Sequence, residues 1–354
     1  MERKIIKYLF FPILIFITPI YYLFFNIFKF VKTKKQKKFK DLKIICVGNP
    51  DLGGSGKTTL VKKIVEDLKS LNKKVAVVTR GYKKKKKKQV LLLHPKELYD
   101  DTTIFYSGDE AYMLFSDLKI PVCVSNDRVK AIEYLKEKFD LEIIISDDGY
   151  QNFSFYKDIN ILIINMFKFQ KKNFLFPLIE LRETLKSSLK RADYVILNHV
   201  NFVFDKIVEK FKQKVKKINN EIKIITSYYK IINFINLYNG KSFYLKEFLD
   251  FNNEVILCCG IGEPKIFQNM LNIEGFKIKH KIFYPDHYWY DLKDVLKWYN
   301  LGNFPIIVTK KDAVKLKNFL NKFDDIYFDK IFYPEINFEI KEGKDLWQQM
   351  INSL

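Results

Sequence analysis

Cysteine is scarce in this chain, with 4 in 354 residues, and acidic residues are few relative to basic ones. The four thiols, Cys46, Cys123, Cys258 and Cys259, all lie in apolar runs and form no CxxC pair. A disulfide scaffold is thereby excluded, and buried reduced thiols in a cytosolic body are expected. No internal repeat is present, which excludes a solenoid. Acidic residues number 41 against 62 Lys+Arg, leaving a net charge of +21. An excess of that size implies an anionic partner: nucleic acid, an anionic membrane or a phosphorylated substrate. Lys, Ile and Phe are abundant throughout, so the position of the charge says more than its total. A hydrophobic fraction of 48% with 29% charged residues belongs to a folded protein and excludes global disorder. The length allows two domains of about 150 residues with a small appendage.

One long uncharged run occurs, the 21 residues from Tyr8 to Phe28, of which 14 are Leu, Ile or Phe. As a helix it would extend about 31 Å, near the hydrocarbon thickness of a bilayer. On an insertion scale those residues contribute roughly −4 to −8 kcal/mol, before Pro12, Pro19 and Asn26 take some back. No small-residue cleavage site follows, which argues against a removed signal peptide. Lys29, Lys32, Lys34, Lys35, Lys37, Lys38, Lys40 and Lys43 follow the run, against Arg3, Lys4 and Lys7 before it. That asymmetry puts the C-terminal side in the cytoplasm if the run spans. The same lysines would hold the chain to anionic headgroups if the run lies in the interface. Either arrangement tethers the body to a membrane.

Lys43–Val47 has the β-branched content of a buried parallel strand. It leads into Gly48-Asn49-Pro50-Asp51-Leu52-Gly53-Gly54-Ser55-Gly56-Lys57-Thr58-Thr59, and then into a helical pattern through Leu60, Val61, Ile64, Val65 and Leu68. Glycines let successive N–H groups turn toward phosphate oxygens, and a helix N-terminus adds its dipole. Gly53, Gly54, Ser55, Gly56, Lys57, Thr58 and Thr59 are therefore candidates for binding ATP. Lys57 would reach the β- and γ-phosphates and the Thr58 hydroxyl would bind Mg²⁺. Asp51 stands where the strict phosphate-loop pattern has glycine, so the loop is a variant one.

Further strands are expected at Lys74–Thr79, Leu141–Ser146, Asn160–Asn165 and Tyr194–Asn198, alternating with helix-length segments. That alternation predicts an α/β fold: a P-loop NTPase-type sheet with helices on both faces. Ligands on such sheets sit beyond the carboxyl ends of strands. Two polar clusters fall there, Thr79-Arg80-Gly81-Tyr82 and Asp147-Asp148-Gly149-Tyr150-Gln151. Alone, the second reads as a turn; beside a P-loop, its paired carboxylates suit a Mg²⁺ site.

These residues jointly resemble the tetraacyldisaccharide 4′-kinase family, the lipid A 4′-kinases of Gram-negative bacteria. The resemblance runs from the N-terminal helix to the last strands. It rests on Gly48-Asn49 with Gly53–Thr58, on Thr79–Tyr82, and on Gly108-Asp109-Glu110-Ala111. It extends through Asp127-Arg128 and Asp147–Gln151 to Leu181-Arg182-Glu183-Thr184, Pro285-Asp286-His287-Tyr288 and Thr309–Leu316. The family also lacks glycine where Asp51 stands. Ala111 and Thr184 replace prolines of the family pattern, and Asn152 replaces a histidine.

The resemblance implies transfer of the ATP γ-phosphate to the 4′-hydroxyl of a tetraacylated glucosamine disaccharide 1-phosphate. It implies ATP and Mg²⁺ as cofactors, with Lys57 and Thr58 on the phosphates and the metal. Asp148 is the leading Mg²⁺ carboxylate, Asp147 lies close by, and Glu183 is a further candidate. Asp109 and His287 would form the catalytic dyad. Arg80 and Arg128 are candidate phosphate clamps, since a guanidinium fork matches phosphate oxygens. Tyr82, Gln151 and Arg182 join them as candidate substrate contacts. The expected partners are the acylated disaccharide phosphate lipid and an anionic membrane surface, with no nucleic acid and no obligate protein partner. The expected location is the cytoplasmic side of the inner membrane.

The expected domains are a membrane-anchoring segment (1–40), a P-loop kinase domain (41–200), a helical and β-rich linker (201–240) and a smaller α/β lobe (241–354). The linker reads as an amphipathic helix at Asn201–Asn219 and β-rich stretches over Ile222–Leu237; the last lobe carries strands at Glu254–Cys259 and Phe304–Thr309. If His287 works with Asp109, the site lies in a cleft between lobes. Six consecutive lysines, Lys83–Lys88, fit either a solvated loop or a loop on lipid phosphates. Two rival functions stand against this reading. A septum-site or partitioning ATPase would carry a lysine just before the paired glycines, where Leu52 stands. A nucleic-acid-binding NTPase fits the charge, but the basic residues cluster beside the membrane segment and no recognition motif stands out.

Overall fold

The computed structural model describes residues 11–51, 54–81, 90–97, 103–169, 181–317 and 328–354. In chain order the elements begin with helix α1 (Phe11–Lys34), strand β1 (Lys43–Gly48), α2 (Lys57–Ser70), β2 (Val75–Thr79), β3 (Val90–Leu93), α3 (Thr103–Ser107), α4 (Asp109–Leu118), β4 (Val122–Ser125), α5 (Arg128–Lys138) and β5 (Ile143–Asp147). They continue with β6 (Ile159–Asn165), α6 (Met166–Phe169), α7 (Leu185–Leu189), β7 (Tyr194–Asn198), α8 (Asp205–Ile218), β8 (Lys223–Asn236), β9 (Ser242–Tyr244), α9 (Leu245–Phe251) and β10 (Glu254–Cys259). The last are α10 (Pro264–Ile273), β11 (Lys277–Phe283), α11 (Leu292–Tyr299), β12 (Ile306–Ile307), α12 (Lys310–Leu316), β13 (Ile331–Glu342) and α13 (Lys344–Asn352). The fold is α/β with a mixed sheet: most pairings are parallel, and β9 lies antiparallel to β8.

The chain divides into two compact units. The first comprises Met1–Arg80, Ile120–Tyr228 and Ile340–Leu354; the second comprises Gly81–Lys119 and Tyr229–Glu339. This differs from the consecutive boundaries expected from sequence, because Gly81–Lys119, with Asp109, groups with the C-terminal residues. Its helix α4 buries Ala111, Leu114, Phe115 and Leu118, an apolar face that needs partners from α12 far along the chain.

In the first unit the parallel strand order is β8-β7-β6-β1-β5-β2-β4. The strands read as unbroken apolar runs because they are buried on both faces: Ile44, Ile45, Val77, Ile144, Ile145, Ile163 and Ile196 are all inaccessible. Register fixes what meets at their ends. Val47 pairs with Asp147 across β1 and β5, so the loop after β1 begins beside the acidic turn after β5. Chain direction in the order of strands reverses at β1, the place where open α/β sheets bind ligands.

Helix α1 packs one side on the first unit. Tyr21 donates from its hydroxyl to the Arg182 carbonyl at 3.3 Å, and Lys29 donates to Ser187 Oγ at 2.9 Å. The rings of Phe25 and Phe28 meet Phe153 edge-on. Phe16, Ile20, Leu23, Phe24 and Ile27 are exposed on its other side. Among the described residues no helix is long and apolar enough to cross a membrane.

In the second unit β11, β10, β12 and β13 are parallel neighbours. Trp298, Ile256, Cys258, Leu316 and Phe328 form its buried centre, and Trp298 Nε1 donates to the Tyr284 hydroxyl at 2.8 Å. The expected strand Phe304–Thr309 shortens to Ile306–Ile307, because Thr309 leaves it to cap α12. The β-rich stretches expected over Ile222–Leu237 are the 14-residue strand β8.

Candidate active site

The loop between β1 and α2 is held from below by two asparagines at strand ends. Asn165, closing β6, donates to the Gly54 carbonyl at 2.8 Å; Asn198, closing β7, donates to the Ser55 carbonyl at 3.3 Å. In a trans peptide the C=O and the following N–H point opposite ways. With those two carbonyls turned down to the asparagines, the N–H groups of Ser55 and Gly56 face away from them, as an anion cradle requires. Gly54 and Gly56 adopt left-handed φ values of 51° and 88°. Asp51, in the variant position, is buried and paired with Lys168 at 3.1 Å, and accepts from Asn49 Nδ2 at 2.8 Å. An ion pair thus ties the loop to α6 at the place where the strict pattern has glycine. Gly53 lies outside the described residues.

Lys57 opens α2. Its Nζ donates to Asn49 Oδ1 at 2.9 Å and lies 3.5 Å from Asp148 Oδ1. Asp148 has a left-handed φ of 50°, and Arg182 grips its carboxylate with both terminal nitrogens, at 3.0 and 3.3 Å. Burial opposes its charge, but Lys57 and Arg182 outweigh it and hold the carboxyl well below the usual carboxylate range. Asp147 is buried at the end of β5 and accepts from Thr79 Oγ1 at 3.3 Å. The turn they share packs tightly on β1. A Cβ at Gly48 would sit 2.3 Å from Tyr150 Cβ, and one at Gly149 would sit 2.3 Å from Ser146 Oγ.

Gln151 ties the pieces together: Nε2 donates to the Asn49 carbonyl at 3.0 Å and to Glu183 at 3.3 Å, while Oε1 accepts from Arg182 at 3.0 Å. Glu183 is placed differently from the metal ligand expected of it. It is fully buried, and both its oxygens accept from Arg191, at 2.7 and 2.8 Å. Arg128 also departs from its expected role as a phosphate clamp. It is buried and donates to the carbonyls of Ser125 and Asp147, fastening β4 to the end of β5. Arg80 is exposed at the end of β2. Tyr82 and Lys83–Lys88 lie outside the described residues. Among the described residues, no three His, Cys, Asp or Glu side chains converge to hold a metal.

The three departures from the family pattern have local explanations. Thr184 caps α7, accepting from the Ser187 N–H at 3.1 Å. Ala111 lies buried in the first turn of α4. Asn152 turns into its own loop and accepts from the Ser154 N–H at 3.0 Å.

In the second unit, Asp109 starts α4 and His287 occupies the loop after β11. His287 Nδ1 lies 3.0 Å from both oxygens of Asp109, and both side chains are buried. His287 is held in a left-handed φ of 61°, with its N–H on the Gly260 carbonyl at 3.1 Å. Lys311 and Lys315 approach Asp109 Oδ2 at 3.9 and 3.8 Å. Burial disfavours the Asp109 charge, yet Lys311, the His287 hydrogen bond and Lys315 prevail and bring it down to about 2.

Sequence reading did not find Asn165, Asn198, Lys168, Arg191, Lys311 or Lys315. For the asparagines a signal existed, since each is a polar residue ending an apolar parallel strand. For Lys311 and Lys315 the signal was their place in Thr309–Leu316; for Lys168 and Arg191 none existed, as single members of a pool of 62.

A family model described as Tetraacyldisaccharide-1-P 4′-kinase matches residues 13–354. The Tetraacyldisaccharide 4′-kinase of Elusimicrobium minutum (strain Pei191) is 30% identical over 310 residues, covering 86% of this chain and 80% of that protein. That of Francisella tularensis subsp. novicida (strain U112) is 31% identical over 308 residues, covering 85% and 89%. The crystal structure of LpxK from Aquifex aeolicus in complex with ATP matches with a TM-score of 0.73 at 25% identity, covering 98% of this chain and 99% of that one. The chain therefore belongs to the tetraacyldisaccharide 4′-kinase family.

Proposed function

We propose that this chain transfers the γ-phosphate of ATP to the 4′-hydroxyl of a tetraacyldisaccharide 1-phosphate, giving a bisphosphorylated lipid and ADP. The observation that carries the reading is the buried Asp109–His287 pair, in a chain of this family whose Lys57 stands at the head of a phosphate loop. Lys57 and the N–H groups of Ser55 and Gly56 neutralise the phosphate oxygens. Asp109 accepts the hydroxyl proton as the acceptor oxygen bonds to phosphorus and the bridging oxygen leaves with ADP. A carboxylate whose pKa is brought down to about 2 is a weak base for a free alcohol. It suits a late proton transfer, when bonding to phosphorus has made the hydroxyl acidic. His287 holds the carboxylate in place and keeps it ionised.

The donor set fits Mg²⁺, because Asp148 is an ionised carboxylate stabilised by cations and Thr58 supplies a hydroxyl at the head of α2. Thr58 and Asp148, with Asp147 beside them, would hold the ion, which when bound neutralises charge on the β- and γ-phosphate oxygens. Glu183 is left out of this set because its side chain is wholly buried against Arg191, whereas the Asp148 carboxylate, though also paired with an arginine, keeps an accessible face.

The chain works at the cytoplasmic face of the inner membrane, with α1 lying in the interface. A helix whose Tyr21, Tyr22 and Lys29 bond to the body keeps that side out of hydrocarbon, while its exposed Phe, Ile and Leu residues suit acyl chains. Ile20→Glu with Phe24→Glu is expected to abolish sedimentation with anionic liposomes while leaving the thermal midpoint unchanged. Retained binding would remove α1 from this role.

The activity is tested by incubating labelled ATP and Mg²⁺ with tetraacyldisaccharide 1-phosphate in mixed micelles. Labelled bisphosphorylated lipid is expected, and Lys57→Ala should lower the rate by about 10²- to 10³-fold. ATP hydrolysis without a lipid product would refute the kinase reading and leave a membrane-bound ATPase.

A further inference from the structure

Thr309–Leu316 is the stretch of the resemblance that has no task in the scheme above. It comprises the N-cap and the whole of α12, and its polar residues anchor that helix. Thr309 Oγ1 donates to Asp312 Oδ2 at 2.6 Å, and fully buried Asp312 also accepts from the Gly260 N–H at 3.1 Å and pairs with Lys315 at 3.0 Å. Gly260 is the residue whose carbonyl accepts the His287 N–H. Helix α12 and the His287 loop are therefore fastened to one point at the end of β10.

From this anchored helix Lys311 reaches the dyad. Its Nζ lies 3.1 Å from His287 Nε2, 3.0 Å from Glu110 Oε1 and 3.2 Å from Asp286 Oδ1. An ammonium has three protons to give and no lone pair. Three acceptors surround it, and the two carboxylates aim the third proton at the imidazole. Nε2 must meet that proton with a lone pair, so the ring's own proton sits on Nδ1, where it donates to Asp109.

We propose that Lys311 is a positioning residue of the transfer reaction: it fixes His287 in the neutral tautomer protonated at Nδ1 and thereby orients the Asp109 carboxylate. The inference deepens the kinase reading and rests on it for the role of Asp109. The charged and titratable groups around the pair are Asp109 and Glu110 on α4, Asp286, His287 and Tyr290 between β11 and α11, Cys259 at the end of β10, and Lys311, Asp312 and Lys315 on α12. Without Lys311, Nε2 loses its donor and can take the ring proton itself. Asp109 then loses both its hydrogen-bond donor and a neighbouring cation that favours its ionised form.

The tautomer is read by nitrogen NMR of ¹⁵N-histidine-labelled protein, which needs no turnover; His287→Asn assigns the signal among the four histidines. Wild type should show a neutral His287 with its proton on Nδ1, and Lys311→Met a proton on Nε2 or on both nitrogens. In the lipid assay Lys311→Met should lower kcat about tenfold or more, part of the ~10²–10⁴ a positioned base supplies. KM for ATP should stay within about twofold, and the acid limb of the pH–rate profile, which in wild type lies below the assayed range, should rise into it. Lys311→Arg, which keeps a donor and a charge, should restore the tautomer and the profile. A wild-type proton on Nε2 would overturn the inference, as would an unchanged spectrum and profile in Lys311→Met. If Lys311→Met does not fold, the wild-type spectrum and Lys311→Gln decide it. A wild type without transfer activity would sink the kinase reading, while the spectrum would still settle whether Lys311 sets the tautomer.

Discussion

Asp109→Asn is expected to lower kcat for phosphate transfer by about 10²- to 10⁴-fold, the contribution of a positioned general base. An amide keeps the shape and still accepts from His287 Nδ1, so the fold and the KM for ATP should survive. What is lost is the group proposed to take the hydroxyl proton. In the wild type, burial alone would raise the Asp109 pKa, but Lys311, His287 and Lys315 bring it to about 2. The carboxylate is therefore ionised across the whole range in which the enzyme can be assayed, and no acid limb from Asp109 should appear between about pH 5 and 8. His287→Ala should lower kcat less than Asp109→Asn does, because it loosens the base without removing it. Steady-state kinetics at saturating ATP check both. An Asp109→Asn enzyme within threefold of wild type would remove Asp109 from the chemistry.

Glu183→Ala should destabilise the protein by about 3–5 kcal/mol, measured by denaturant unfolding without nucleotide or metal. The reason is the uncompensated Arg191 guanidinium, which packs over the rings of Tyr150 and Phe153 and has Glu183 as its bidentate partner. Removing both charges in Glu183→Met/Arg191→Met should recover most of the loss, since a well-packed apolar pair avoids the desolvation cost. The pH dependence has a definite sign. Burial pushes the Glu183 pKa up, but Arg191, Ser187 and Lys29 overcome it and the net shift is downward. A depressed carboxylate stabilises the fold above its unfolded value of about 4.3 and loses that contribution as pH falls through the folded value. The gap between wild type and Glu183→Ala should therefore be constant at neutral pH and narrow below about pH 4. A variant with wild-type stability and a defect only in Mg²⁺ dependence would return Glu183 to the metal.

Much of the first unit could be read in advance because its information is contiguous. Tyr194–Asn198 appears as a strand at the expected residues, as Glu254–Cys259 does in the second unit, since a strand buried on both faces declares itself as an unbroken apolar run. The phosphate loop is likewise local: its glycines, lysine and threonine all stand within a dozen residues. Strands β13 and β11 escaped, because Ile331–Glu342 and Lys277–Phe283 mix apolar and charged residues on half-exposed surfaces. The N-terminal run was legible as apolar, but hydropathy does not record that Tyr21 and Lys29 find partners on the protein.

The sequence by itself determined the α/β class, the glycine-rich loop after β1 and, through its motifs, that Asp109 and His287 belong together. Pairing across long separations came from the folded chain alone. His287 and Asp109 are 178 residues apart, and nothing in either neighbourhood says that Lys311 would close the far side of the ring. Nor did it say that Glu183 would spend its charge on Arg191. Such partners depend on which helix face meets which strand end, and in a dense interior a shift of one residue exchanges one counter-ion for another.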